Sequence, residues 1–394
     1  MKKLFSLGLM AWMMVGLVAC QTPAASESES LSVELQALQE RIETLETEND
    51  TLKAALSATQ SSEDTVTFVV ESDTPLVRTM AFDASESAEP MTLLLSALGE
   101  ENVTYSESEF GIFIESIGSM VPDYGSYIMI ERNNTPLSVG FAEAPIEDGD
   151  VFRFSLVYWD LQAAQLNESI EHFKASVGPT YISAFNYDVL HAVALNQDAL
   201  DLSYVARGTD EITALKDLLI LKALGDDISQ AARVYAENFE TTVLFRASLG
   251  MMALDGTDAY DSVLNAYMTR VENLEISTVS FDDLAMTVMH LKDETPAEIE
   301  AAWRDQLTML NNAPSLAFAI LSLIAMDENP YDVTHQEGLS LPETLMQLQT
   351  ADGGFLYDFT SGPLSTQQFS SPQSFLALSA LHAYLNARPA VPYE

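Results

Sequence analysis

Residues 282–326 read DDLAMTVMHLKDETPAEIEAAWRDQLTMLNNAPSLAFAILSLIAM, and they set two kinds of helix side by side. DDLAMTVMHL (282–291) and PSLAFAILSLIAM (314–326) are apolar nearly all round, so they need burial on most sides. Between them AEIEAAWRDQLTML (297–310) carries one charged face. The alternation extends outward. Helical stretches with a 3.6-residue period fall at about 165–177, 184–196, 211–224, 228–238, 242–255, 259–273, 280–292, 296–311, 314–327, 341–349 and 371–387. Every second one is of the apolar type, including TALKDLLILKALG (213–225), TTVLFRASLGMMAL (241–254) and SPQSFLALSALHAYL (371–385). An inner and an outer ring of helices accounts for this better than a solenoid with one exposed face. The sequence therefore predicts an (α/α)6 toroid over 161–390, built from about six helical hairpins.

Upstream the period changes to two. TVTFVV (65–70), GIFIES (111–116), SYIMIE (126–131) and VFRFSLVYW (151–159) are rich in β-branched and aromatic residues. ERNNTP (131–136) and IEDGD (146–150) are turns between them, and EPMTLLLSALG (89–99) fits a short helix ending at Gly99. One helix over a small mixed sheet predicts a β-grasp-like α+β domain at 65–160.

The first 64 residues read differently again. Lys2 and Lys3 precede an uncharged apolar run, Leu4 to Val18, and Leu17-Val18-Ala19-Cys20 closes it. This is the pattern of a secretory signal at 1–19. Cys20, the single cysteine of the chain, resembles the lipid-modified cysteine of a bacterial lipobox. That resemblance implies a lipid anchor at Cys20 and a cell-membrane location on the extracytoplasmic side. A small, polar tether (20–30) leads to a heptad run over 31–58, with Leu31, Leu35, Leu38, Ile42, Leu45, Asn49, Leu52 and Leu56 at a and d positions. Arg41 would face Glu46, and Glu48 would face Lys53, across a parallel homodimer through 31–56. A single amphipathic helix on the globular body is the alternative. The predicted fold class is thus multidomain α and α+β: an N-terminal coiled-coil helix, a small β-grasp-like domain and a C-terminal toroid.

The 394-residue chain carries a formal charge of −42, with 17 Lys plus Arg against 59 Asp plus Glu. Such a field repels nucleic acid, which is set aside as a partner. It suits a solvated extracellular surface, a cation-rich medium or cationic ligands.

Two family resemblances rest on particular residues. MTLLLSALGEE, FGIFIESIGS, YIMIERNNTPLSVGF and PIEDGDVFRFSLVYWD follow one another as in the transcobalamin-like C-terminal domain of bacterial surface proteins. Ile128 stands where that domain usually has Trp, and Asn133-Asn134 replace Asn-Gly. Gln349-x-x-x-Gly353-x-Phe355, within LQTADGGFLYDF (348–359), resembles the repeat motif of prenyltransferase and terpenoid-cyclase toroids, with Phe for the usual Trp. There the motif is mechanical: the Gln caps an adjoining helix, the Gly permits a left-handed turn, and the aromatic packs between hairpins.

Residue types exclude the chemistry of these toroid families. There is no D-x-D-D acid cluster. Asp226-Asp227 and Asp282-Asp283 lack the further carboxylate of a magnesium site, and no cysteine remains for zinc or a thioester. His172, His191, His290, His335 and His382 show no metal-ligand spacing and read as surface or core residues. The acidic loop DGTDAYD (255–261) could hold calcium but lacks a closing Glu, and reads as a solvated loop. No catalytic residue and no cofactor is assigned.

Intrinsic factor and transcobalamin combine these two modules in the opposite order and bind cobalamin between them. The resemblance implies a lipid-anchored, non-catalytic binding protein for a small organic ligand, with cobalamin or another corrinoid as its form. Polar residues at inner-helix N-termini, Asp210, Thr242, Asp282, Asp283 and Gln373, and the aromatics Tyr127, Tyr158 and Trp159 are the candidate contacts. Each has a plainer reading: helix N-caps for Asp210, Thr242 and Asp282, a hairpin cap for Gln373, and core filling for Trp159. The alternatives in other classes are a surface adhesion or scaffold protein binding a protein or glycan, and a polysaccharide-processing enzyme using paired carboxylates.

Overall fold

The computed structural model describes residues 64–72, 74–83, 89–108, 111–195, 204–360 and 367–387. The signal, Cys20, the tether and the heptad run all lie outside these residues. The fold is mixed α and β, with a small sheet region on the N-terminal side and a helical remainder.

The chain divides into two compact units. The described part of the smaller one is residues 64–66, 80–83 and 146–149. Within it the Asp148 carboxylate accepts from the Thr65 N–H at 2.9 Å, and Gly149 N–H donates to the Thr65 carbonyl at 2.8 Å. The larger unit holds 67–79, 89–145 and 150–394.

The strands are β1 (Asp64–Glu71), β2 (Leu76–Phe82), β3 (Val103–Ser108), β4 (Gly111–Ile117), β5 (Ser126–Arg132), β6 (Thr135–Pro136) and β7 (Asp150–Tyr158). Five form a sheet of order β2-β1-β7-β5-β6, and β3 pairs with β4 separately. β5 and β7 run antiparallel with Ile130 opposite Phe154 and Ser126 opposite Tyr158. Side chains alternate between faces, so Phe152 and Phe154 share one face. Both are fully buried against Phe141 at ring distances of 5.4 Å, and Phe152 also stacks on Phe68 at 6.1 Å. Helix α1 (Pro90–Leu98) contributes Leu94 and Leu98 to the buried core and ends at Gly99, as the sequence predicted. The NNTP signal is a two-residue hairpin. Asn133 and Asn134 have φ of 54° and 63°, the left-handed pair this turn requires. Asn133 also donates to the buried Asp150 at 2.8 Å. Sequence periodicity missed β2 and β3, whose LVRTMAF and VTYSES lack a regular apolar alternation.

The helical remainder comprises α2 (Leu161–Ser176), α3 (Gly178–Ser183), α4 (Tyr187–Leu195), α5 (Glu211–Ala223), α6 (Ser229–Ala236), α7 (Leu244–Leu254) and α8 (Tyr260–Glu272). It continues with α9 (Phe281–Leu291), α10 (Ala297–Leu307), α11 (Ala313–Ala325), α12 (Leu341–Met346) and α13 (Gln367–Leu385). Six of these neighbour one another in turn: α4 with α5, α5 with α7, α7 with α9, α9 with α11, α11 with α13, and α13 with α4. The apolar helices of the opening stretch are α9 and α11, and both are members. Every α11 residue from Ala313 to Ala325 except Pro314 is buried, whereas α10 buries only Ile299, Trp303 and Leu307. That one-in-four spacing is the stripe of a helix packed on one side. Trp303 is fully buried and its indole N–H donates to Ser322 on α11 at 3.1 Å. The remaining long helices each pack on members of the cycle: α2 on α13, α8 on α7, α10 on α9. The alternation breaks once, because α4 and α5 are consecutive members with no outer helix described between them. No described helix is long and apolar enough to cross a membrane.

The Gln349 motif ties α2 to the last hairpin. The Gln349 amide N–H donates to the Ser169 carbonyl at 2.9 Å, and its oxygen accepts from the Ser169 hydroxyl at 2.9 Å. Gly353 has φ of +80°, and a Cβ there would lie 2.8 Å from the His172 carbonyl oxygen. Only glycine meets both demands. Phe355 is fully buried, and its N–H donates to the Ser371 hydroxyl of α13 at 2.8 Å. Thr350 and Asp352 bond to each other inside the turn.

Candidate functional site: the cleft beside Asp123

The clearest polar constellation sits where the sheet meets α2 and the end of α13. Its first component is the turn Val121-Pro122-Asp123-Tyr124-Gly125 ahead of β5. Gly125 has φ of +77°, and a Cβ would come within 2.7 Å of both Ala163 and Asp160, so glycine lets the turn lie against the start of α2. Asp160 caps that helix, accepting from the N–H groups of Gln162 at 2.9 Å and Ala163 at 3.1 Å.

Asp123 joins three elements. One carboxylate oxygen accepts from the Ser126 hydroxyl at 2.7 Å. The other accepts from the Tyr158 hydroxyl of β7 at 3.0 Å and lies 2.9 Å from Nε2 of His382 on α13. One turn further on, Asn386 accepts from the Tyr124 N–H at 2.6 Å. The end of α13 therefore grips the turn twice. Burial pushes the Asp123 carboxyl up, but hydrogen bonds from His382, Ser126 and Tyr158 outweigh it and hold the group below the usual carboxylate range. Burial and the Asp123 charge push the Tyr158 phenol far above its ordinary value, so it stays a donor.

A cleft of about 400 Å³ opens beside this network. Asp123, Leu156 and Tyr158 line its sheet side, Asn167, Glu171 and Lys174 its α2 side, and Glu71 and Ser72 one end. Lys174 pairs with Glu171 at 3.1 Å. The lining is mostly polar and carries more carboxylates than cations. It suits a ligand rich in hydrogen-bond donors, with Asn167 placed to donate in return, while the Ser72 and Tyr158 hydroxyls already donate to the Thr74 carbonyl and to Asp123.

The sequence-derived candidates do not converge. Tyr158 faces the cleft. Tyr127 stands opposite Val157 in the register, hence on the other face of the sheet, and is exposed. Trp159, one residue past β7, is 67% exposed and sits 6.4 Å from the Tyr124 ring, so it fills no core. Asp210 forms a capping box with Thr213 at the start of α5. Thr242 is exposed and precedes Val243, which occupies the N-cap position of α7. Asp283 accepts from Ser280 at 2.6 Å as part of the α9 cap. Asp282 accepts from Ser315 of α11 at 2.7 Å, and burial pushes its carboxyl up.

Gln373 belongs to a different place. With Asp188, Lys216, Phe245, Met286 and Phe318 it lines a void of about 20 Å³ between the six neighbouring helices. That is room for about one water. Lys216 and Asp188 pair there at 2.6 Å. The aromatic and methionine side chains that make these helices apolar all round also fill the space between them.

The histidines have separate roles. His335 is buried, with Nε2 at 2.9 Å from the Leu310 carbonyl and Nδ1 accepting from the Glu337 N–H at 3.3 Å. His290 lies 3.1 Å from the Tyr260 hydroxyl, and burial lowers it to about 4. His172 is half-buried beside Gln349. In the acidic loop, Asp258 is 88% exposed and pairs with Arg233 at 3.2 Å. Among the described residues no group of three or more His, Cys, Asp or Glu is placed to hold a metal ion.

Sequence reasoning passed over Asp123 and His382. Pro122-Asp123-x-Gly125 is a turn signature, but its partner lies 259 positions away.

No family model matches the chain. No curated protein matches it. Among solved structures it is similar to a protein of Ruminococcus gnavus ATCC 29149 provisionally described as metal binding, at 22% identity over 25% of this chain and 98% of that one. The TM-score of that match is 0.21, which carries no argument about fold or function.

Proposed function

We propose that this chain is a lipid-anchored, non-catalytic binding protein that holds a small organic ligand in the cleft beside Asp123. The reading is carried by one observation. Tyr158, an aromatic candidate from the sequence, lines a polar cleft of about 400 Å³ at the junction of sheet and helices. That volume lies within the range of small-molecule sites. The helical region is read as an α/α toroid, supported by the cyclic neighbour order of α4, α5, α7, α9, α11 and α13. The sheet region is read as β-grasp-like, supported by its strand order and single covering helix.

A corrinoid, of which the cleft would seat one amide-bearing edge, is the ligand to try first, because that edge supplies N–H donors that Glu71 and Glu171 would accept. The void between these helices, about 20 Å³, favours the cleft over the space they surround. The bonding of Asp123 supports a framework role, since its carboxylate is already engaged by Ser126, Tyr158 and His382.

The test is a visible spectrum of the purified protein after incubation with cobalamin and desalting. Retained absorbance is expected, and none would remove the corrinoid form. Cys20→Ser is expected to release the protein to the medium, and continued membrane retention would refute the anchor.

A second reading, adhesion to a glycan or protein, draws on exposed Tyr124, Tyr127 and Trp159. Binding on a glycan panel that is lost in Trp159→Ala and unaffected by Tyr158→Leu would favour it.

A further inference from the structure

A larger cavity lies elsewhere, between α5 and α6, with a volume of about 930 Å³. Ala214, Leu218 and Leu221 of α5 form one wall, and Ala231, Val234 and Tyr235 of α6 form the other. α6 packs on α7 and α8 and buries only Ala232, so it stands off α5 and leaves the space open. Val234, an apolar residue, is 59% exposed as a result.

Tyr235 is seated by a glycine. A Cβ on Gly250 of α7 would lie 2.7 Å from the Tyr235 hydroxyl and 3.1 Å from the Phe239 ring. The bare backbone therefore holds the Tyr235 ring back against α7 and keeps the space clear. The Tyr235 hydroxyl is 3.4 Å from Glu211, whose other oxygen meets Arg246 at 3.1 Å.

Charge decides what the space would take. Asp227, Glu240 and the Arg246-paired Glu211 are among its lining residues, and no Lys or Arg is among those described. Carboxylates around an apolar recess hold a negative potential there, because the low-dielectric walls focus it. An aromatic face adds attraction for a cation. An apolar body would remove the walls from water.

We propose that the α5–α6 cavity is a second binding site, for an organic ammonium ion that carries an apolar body. It shares no lining residue with the cleft beside Asp123 and does not depend on the function proposed for that cleft.

The experiment is calorimetric titration of the full chain with octylammonium, octanol and octanoate, probes of one length and three charges. Octylammonium is expected to saturate at one per chain. Octanol is expected to bind at least tenfold more weakly, and octanoate to give no saturable heat. Ala231→Trp, which fills the space from a surface helix, is expected to weaken octylammonium at least tenfold with the thermal midpoint unchanged. Glu240→Gln, an exposed change that leaves packing intact, is expected to weaken it about threefold. No saturable heat with octylammonium, equal affinities for the three probes, or unchanged affinity in folded Ala231→Trp would each overturn the proposal.

Discussion

Replacing Asp123 by Ala removes one carboxylate and leaves two donors without an acceptor. Ser126 loses little, because its hydroxyl also lies 2.9 Å from the Asp123 carbonyl, which the substitution keeps. The Tyr158 hydroxyl and His382 Nε2 have no such second partner in this network. Hydrogen bonds to a charged group contribute about 1.5–3 kcal/mol each. The side chains of His382 and Asp123 keep 19% and 13% of their exposure, so water recovers part of the loss and the lower figure applies. Two such bonds give about 3 kcal/mol for Asp123→Ala, against about 1.5 kcal/mol for Tyr158→Phe, which removes a single donor. Urea unfolding at pH 7 reads these values from the midpoint at constant slope. In a double-mutant cycle Asp123→Ala and His382→Ala are expected to be coupled by about 1 kcal/mol or more. The pH dependence has a definite sign. A carboxyl held below its ordinary value stabilises the fold above the unfolded value and ceases to as the pH falls through the folded one. The gap between wild type and Asp123→Asn should therefore persist from pH 7 to about pH 4 and close below it. A loss under about 0.5 kcal/mol for Asp123→Ala, or strict additivity with His382→Ala, would refute the link between sheet and helices.

Gly353→Ala is expected to cost at least about 2 kcal/mol. It forces a left-handed residue and sets a methyl 2.8 Å from the His172 carbonyl, a backbone atom with little room to yield. A neutral result in thermal unfolding would show that the turn relaxes. His290, lowered by burial from 6.5 to about 4, should make stability fall with acidification across that window. The unfolded chain takes the proton first, and 1.36 kcal/mol per pH unit over that interval comes to about 3 kcal/mol. His290→Gln should remove that component from the difference between unfolding curves at pH 7 and pH 4, and an identical difference in both proteins would contradict it.

Much of the architecture was legible because it rests on local repetition. The all-round apolar character of α7, α9, α11 and α13 marked the helices that neighbour one another, and the single stripe on α10 marked one that does not. The period-two runs located β1, β4, β5 and β7. β2 and β3 escaped because their side chains are largely exposed and carry little apolar alternation. α4 joined the cycle against a strict alternation, a matter of packing order that no spacing rule reveals.

The site was less legible. Candidates chosen at inner-helix N-termini turned out to be engaged locally: Asp210 with Thr213, Asp283 with Ser280, Asp282 with Ser315. A carboxylate that caps a helix and one that meets a ligand occupy the same sequence position. Tyr127 and Tyr158 lie on adjacent strands yet on opposite faces, which only the register of β5 against β7 decides. Asp123 and His382 escaped because a turn residue and a lone histidine acquire meaning only when the end of α13 meets the sheet.

Amide hydrogen exchange with and without saturating cobalamin tests the central claim most directly, since it reports where on the chain the ligand sits. Added protection is expected in residues 119–123, at Leu156 and Tyr158, and along 167–174, with little change at the starts of α9 and α11. Protection confined to Ser280–Leu284 and Ala313–Phe318 would place the ligand among the starts of those helices and contradict binding in the cleft.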